Sequence, residues 1–497
     1  MINNKDKNNL AGLNLKQRLS FLFKDSVLYG GAAAFSKSFT LITFPILTRH
    51  FSVSEYGLFD IFMVAAAMLG TFFVFGQDSA VARYFYEYEK KRIRQEIISL
   101  SLFYQFSCVL LLIPIGWIFS DTIVLLLSDA KNAQNLLKLI LLQVPFLVLI
   151  NFSINLLKWT FSRAKFLIMS IGVSITKVTA LIIGIKYYNI NVQDALLIIL
   201  VVVAIFGILG FSFINKWMVL PRSITYLNRL IKYAAPLGII AVSGAFVPVM
   251  ERSIVNSLIG SVELGLYAAG SKIALICMLL VGAFQTAWGP FSLSIYKQKD
   301  AIITYNIVLK AFTALMCIFV LALSAIANPF ITLLATTEYS EASVIVFPLA
   351  MGVVIKAVSW ITEIGISLSK KSHLNLYSYF VFVVMTLLGI YIFASQFGML
   401  GVALGVLAGQ IGKSLMASYL SFKAYSLNWK YKEILVLLSI TILMGLIGLV
   451  LYNITSQLFV TIYYSICSIT VLIISIFLLF SKKERKKIYS QINNIGN

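Results

Sequence analysis

Runs of about 20 apolar residues recur along the whole chain, and a run of that length crosses a bilayer core as a helix. Hydropathy marks fourteen of them. The first six lie near 26–48, 56–78, 97–119, 136–157, 166–185 and 194–214. Six more lie near 234–256, 266–290, 304–327, 343–367, 374–395 and 399–421, and two near 433–452 and 458–480. In hydrocarbon a spanning segment must satisfy its own backbone hydrogen bonds, so each run is expected to be a helix. Composition agrees: 60% of the 497 residues are hydrophobic and 12% are charged, where soluble proteins carry about 25% charged residues. The polar, basic start shows no short apolar stretch closed by a small-residue cleavage site. The first span is therefore expected to serve as its own anchor.

Positive charge orients the spans, because Lys and Arg collect in cytoplasmic connections. With the N-terminus inside, the cytoplasmic segments hold 29 of the 40 Lys and Arg, and the outer loops hold 3. Both termini are thus expected in the cytoplasm. The bias accounts for most of the net charge of +21 without a nucleic-acid partner.

The chain also repeats itself. FSVSEYGLF (Phe51 to Phe59) and IGSVELGLY (Ile259 to Tyr267) match at an offset of 208, pairing Glu55 with Glu263, Gly57 with Gly265 and Leu58 with Leu266. Each copy joins the first and second spans of a six-span block, and both blocks start from the cytoplasm, so the repeat is parallel. The expected fold class is an all-α polytopic membrane protein. It has about 14 transmembrane helices, in two parallel-repeat six-helix bundles plus two C-terminal helices. The expected divisions are a cytoplasmic arm (1–25), a first bundle (26–214), a linker (215–232), a second bundle (233–425), two extra helices (426–481) and a basic tail (482–497). Duplicated transporters place the substrate path between such halves. Gly401, Gly405 and Gly409 recur every four residues and should form a smooth packing face.

Eight Lys or Arg fall inside the spans. Lys138 and Lys310 lie near span ends, within reach of the interface. Lys37, Lys177, Arg252, Lys272, Lys356 and Lys413 lie deeper. Each would cost about 2.5–3.5 kcal/mol facing lipid at the bilayer centre, so they should face a wet interior or pair with acids. The acids at hand are Asp60, Glu251, Glu363 and, at a span end, Asp78. Pairing all four still leaves two cations, so the interior should be net positive and attract anions. Lys272 is the weakest of the six by position, near the outer third of its span. In FVPVMERSIVN, Glu251 and Arg252 are adjacent. Neighbours on a helix point about 100° apart, so they should aim at different partners. Arg252 is expected to face the cleft, and Glu251 to brace it or to couple an ion.

Catalysis is not expected. No phosphate-cradling G-x-x-x-x-G-K-[ST] stretch occurs, and the loops are too short for a nucleotide-binding lobe. The four cysteines lie in apolar runs without metal-type spacing, and the two histidines are far apart, so no metal or cofactor is expected.

Three stretches resemble Wzx-type oligosaccharide flippases of the multidrug/oligosaccharidyl-lipid/polysaccharide exporter superfamily. They are PILTRHFSVSEYGLF (Pro45 to Phe59), GQDSAVARYFYEYEKK (Gly76 to Lys91) and ERSIVNSLIGSVELGLYAAGSKIA (Glu251 to Ala274). The resemblance implies a multi-pass protein of the bacterial inner membrane. It would flip polyprenyl-diphosphate-linked oligosaccharide units to the outer leaflet by alternating access, among membrane lipids and beside a polysaccharide polymerase machinery. The six deep cations would then form the substrate-binding cavity. Asp60, Glu251, Glu363, Asp78, Arg83 and Arg49 would serve as gates or in coupling to H+ or Na+. A cation-coupled multidrug antiporter and a peptidoglycan-precursor flippase of the same superfamily are the alternatives. The antiporter would want acids rather than bases in its cavity.

Overall fold

The apolar runs fold as helices, and no strand occurs among the described residues. The computed structural model describes residues 15–479 except 129, 131, 299, 300 and 370. The first half holds α1 (Leu15–Thr48), α2 (Val53–Val74), α3 (Gln77–Glu87), α4 (Lys91–Ile118), α5 (Ser120–Leu125), α6 (Ala133–Trp159), α7 (Arg163–Tyr188) and α8 (Val192–Ile214). The second holds α9 (Thr225–Leu258), α10 (Ser261–Ala274), α11 (Ile276–Ile295), α12 (Ala301–Leu334), α13 (Val346–Thr362), α14 (Ile364–Leu368) and α15 (Leu374–Ala424). The last two, α16 (Tyr431–Ile454) and α17 (Gln457–Leu479), pack on α12. Helix α9 begins at Thr225, so the second part of the expected linker is already helical. The basic tail lies outside the described residues.

Twelve helices among the described residues are long and apolar enough to cross a membrane, against the fourteen expected. The difference arises at α1 and α15. Helix α1 has 34 residues, but only its Ser38–Thr48 part lies in an unbroken stretch of fully described residues, so α1 does not enter that count. Helix α15 counts once although it holds 51 residues, about 77 Å if straight, more than twice the hydrocarbon thickness. It is not straight. Gly398 has φ 57° and ψ −134°, a conformation costly for any residue with a Cβ. A Cβ on Gly389 would lie 2.8 Å from Cα of Gly405, although 16 residues of straight helix separate atoms by about 24 Å. The chain therefore doubles back at Gly398. The glycine face packs as expected, but against the preceding arm of its own hairpin: Gly401 meets the Phe393 carbonyl and Gly409 meets Thr386.

The outer surface is apolar. Leu110, Leu111, Ile118, Ile208 and Tyr391 are all well exposed, the pattern of side chains that face lipid rather than water.

Helix α2 sits at the centre, packing on α6 in its own half and on α9 and α10 in the other. The repeated motif explains that placement. Ser52 and Glu55 form a capping box that starts α2, with Glu55 at the third helical position, where an acid satisfies an orphan N–H and complements the helix dipole. Glu263 holds the same position in α10. Two residues further on, Gly57 and Gly265 meet: a Cβ on Gly57 would lie 2.5 Å from the Gly265 nitrogen. The two copies of the repeat thus touch at their glycines, where the halves cross.

Candidate functional site

The central feature is an ion network between the halves, organised on Asp60. Asp60 lies on the buried face of α2 and is 2% exposed. Its Oδ2 accepts a hydrogen bond from Arg252 Nε of α9 at 2.6 Å, and its Oδ1 pairs with Lys272 Nζ of α10 at 2.6 Å. Arg252 is held from two further directions: Nη2 donates to Ser271 Oγ (2.9 Å) and Nη1 to the Pro248 carbonyl (3.1 Å). Glu251 Oε2 accepts from the Tyr267 hydroxyl at 2.9 Å and lies 4.0 Å from Arg252 Nη1. The adjacent pair therefore does aim at different partners, Asp60 for one and Tyr267 for the other. Two acids and two bases make the network neutral. Neutrality matters, because a single unpaired ion there would carry a desolvation penalty of several kcal/mol.

Beside the network is a cavity of about 210 Å³. Helix α1 contributes Ser36, Thr40 and Thr43, and α7 contributes Ser174 and Lys177. Asp60 and Lys272 close one side. Two lysines face the cavity against one aspartate, and that aspartate is already shared with Arg252. Lys177 has no ion-pair partner among the described residues.

The six expected cavity cations thus separate. Lys177 and Lys272 line the cavity, and Lys272 is a principal member although position ranked it last. Arg252 is 4% exposed and does not line the cavity; its guanidinium is turned to Asp60 and Ser271. Lys413 is 1% exposed. It pairs with Glu363 at 2.8 Å and lies 5.2 Å from the Tyr379 ring, which ties α15 to the end of α13. Lys356 lies 5.6 Å over the Trp360 ring, away from the cavity. Lys37 is on α1, and its side chain is outside the described residues. Lys310, expected to reach the interface, pairs instead with Glu433 of α16 at 2.6 Å.

The remaining candidates sit at the ends of the path. Arg49 donates to the carbonyls of Leu333 (2.8 Å) and Ala335 (3.3 Å), bridging from the first half to the C-terminus of α12. The negative end of a helix dipole favours a cation there. At the other end Arg83 pairs with Glu87 (3.8 Å), and its guanidinium lies 4.7 Å from the Tyr233 ring of α9. Asp78 Oδ1 accepts from the Ser79 N–H at 2.8 Å in the first turn of α3. It forms an ion pair with none of the deep cations among the described residues.

The hydroxyl lining and Ser271 are not among the residues expected from the sequence. A signal existed: Ser36, Thr40 and Thr43 fall at i, i+4 and i+7, one face of an otherwise apolar helix. Ser174 and Lys177 share a face of α7 in the same way.

The cavity is lined by the first half except for Lys272, which reaches it from the second. A family described as polysaccharide biosynthesis protein matches residues 22–296, more than half of the chain, and the protein belongs to that family. It is a multi-pass bacterial membrane protein. An uncharacterized membrane protein of Haemophilus influenzae is 21% identical over 282 residues, 56% of this chain and 66% of that one. The chain thus matches just under two thirds of that relative's length. Among solved structures, lipid II flippase MurJ in an inward closed conformation superposes with a TM-score of 0.69 and 18% identity, over 90% of this chain and 98% of that one. A multidrug resistance MATE family transporter of the MOP superfamily, inward-facing, superposes at 0.56 with 14% identity, over 80% and 94%. At these identities the likeness is one of fold alone.

Proposed function

We propose that this protein flips polyprenyl-diphosphate-linked oligosaccharide units across the bacterial inner membrane, from the cytoplasmic to the outer leaflet. The observation that carries this reading is the pair Lys177 and Lys272, which face one cavity from opposite halves in a member of a polysaccharide biosynthesis family. Diphosphate oxygens are natural partners of such ammonium groups. The hydroxyls of Ser36, Thr40, Thr43 and Ser174 offer hydrogen bonds to phosphate or sugar.

A cavity of about 210 Å³ is smaller than the roughly 300–1,000 Å³ of ordinary small-molecule sites. A diphosphate carrying several sugars does not fit it. The bundles spanning 26–214 and 233–425 must therefore part, first toward the cytoplasm and then outward, while the lipid tail stays in the bilayer. Arg49 at one end and Arg83 with Asp78 at the other are the groups whose contacts would break and reform. An inside-negative potential favours outward movement of an anion by about 2.3 kcal/mol per charge per 100 mV. An antiporter reading fits less well, because Asp60, the acid of the cavity among the described residues, is already held by two cations. A peptidoglycan-precursor flippase shares the diphosphate chemistry, and complementation of strains lacking each activity separates the two.

Lys177→Gln should abolish export of lipid-linked polysaccharide in a complementation assay while membrane levels of the protein hold. Lys356→Gln, at a residue that does not line the cavity, should leave export near normal. Full export by Lys177→Gln would sink the proposal.

A further inference from the structure

Asp60 is unusual among the acids of the site because it spends two cations on one carboxylate. Arg252 and Lys272 each take a different oxygen at 2.6 Å. The two cations are not equivalent. Arg252 is fixed from three directions, and its side chain is 5% exposed. Lys272 borders the cavity with its side chain 20% exposed, and Asp60 is its ion-pair partner among the described residues. An ammonium on a flexible four-carbon stem re-aims easily, whereas a guanidinium held through three donors does not.

From this asymmetry we infer that Asp60 is a built-in stand-in for the substrate's phosphate and that Lys272 is the cation it lends. In the empty state the carboxylate keeps Lys272 neutralised at the edge of the cavity. An arriving phosphate takes Lys272 and completes its site with Lys177, while Arg252 keeps Asp60 from being left as a bare buried charge. Asp60 is on α2, and both its partners are on the second half. Transfer of Lys272 therefore removes one of the two ionic ties that Asp60 makes to the second half at the moment of loading. Asp60 is thereby a specificity-determining residue. A ligand must outcompete a carboxylate for Lys272, which a diphosphate does and a neutral or weakly acidic headgroup does not. The inference rests on the diphosphate-lipid reading above.

Binding of farnesyl diphosphate to the purified full-length protein in nanodiscs tests both, with farnesol as the uncharged control. Wild type should bind the diphosphate and not farnesol; equal binding of the two, or none, overturns the diphosphate-lipid reading itself. Given wild-type binding, Lys272→Gln should weaken it about tenfold and Asp60→Asn should tighten it about fivefold, the range of ordinary coupling between sites. Export by Asp60→Asn should fall, because the ligand is held too well. In the double variant Asp60→Asn/Lys272→Gln the tightening should vanish, since it passes through the lysine. Lys272→Arg covers the case in which Asp60→Asn does not accumulate. It keeps the charge but grips Asp60 through a planar fork, so diphosphate binding should weaken. Tightening that persists in the double variant, weaker binding by Asp60→Asn, or wild-type affinity in Lys272→Arg overturns the inference and leaves the flippase reading standing.

Discussion

Arg252→Met is expected to destabilise the protein by about 3–5 kcal/mol, the usual result of removing one partner from a buried ion pair. The substitution leaves Asp60, 2% exposed, with Lys272 alone, and leaves Ser271 Oγ without the Nη2 donor. Lys272 still covers Oδ1, which puts the loss toward the lower end of the range. Arg252→Lys should not restore it, because one ammonium cannot reach Asp60, Ser271 and the Pro248 carbonyl together. The second-site prediction is sharper. Asp60→Asn in the Arg252→Met background removes the stranded charge and should recover part of the loss, so the two effects are not additive. Thermal melting of the detergent-purified variants reads both. A wild-type melting curve for Arg252→Met would show that the guanidinium is not a structural tie. If export also stayed normal, it would have no role in transport either.

That role for Arg252 was not legible from the chain alone, and the reason is physical. Hydropathy reports that a cation is inside a span, and the cost of burial then demands a partner or a wet surface. It cannot choose between them, because the choice depends on which helices are neighbours. Asp60 and Arg252 are 192 residues apart, and Glu363 and Lys413 are 50 apart. No periodicity along one helix links either pair. The count of acids against bases said that two of the six deep cations would lack an acid, and did not say which. Helix existence was legible nearly everywhere, since twenty apolar residues have few other options in lipid. The hairpin of α15 was legible as two spans, which meet at the non-helical Gly398. The short repeat around Glu55 and Glu263 was visible as a pattern, whereas its purpose needed the structure. The acid sits in the first turn of each helix, and the glycine is where the two helices touch.

That glycine contact carries the other large effect. Gly265→Ala would place a methyl on the Val53 carbonyl oxygen, and Gly57→Ala would place one 2.5 Å from the Gly265 nitrogen and 2.9 Å from its Cα. Both obstacles are backbone, so no side chain can swing aside and the two helices must separate. Overpacking of this kind costs about 1–3 kcal/mol. Both substitutions act on one contact, so the double variant should lose less than the sum of the singles. The functional effect should exceed the thermal one. On the proposed path between the halves, this contact lies at the end that the charge bias places outside, so a methyl there should hold that end ajar. A cysteine at position 56, where the native tyrosine is 2% exposed, reports this state directly. A membrane-impermeant maleimide added from outside should label Tyr56→Cys slowly in the otherwise native chain and rapidly with Gly265→Ala. Gly282→Ala is the matched control, because a Cβ there meets nothing within 4 Å. Export should fall with Gly265→Ala and hold with Gly282→Ala, since alternating access requires the outer end to close before the inner one opens. Equal labelling and equal export in the two variants would mean that the repeated glycines only pack the helices and that the outer closure lies elsewhere.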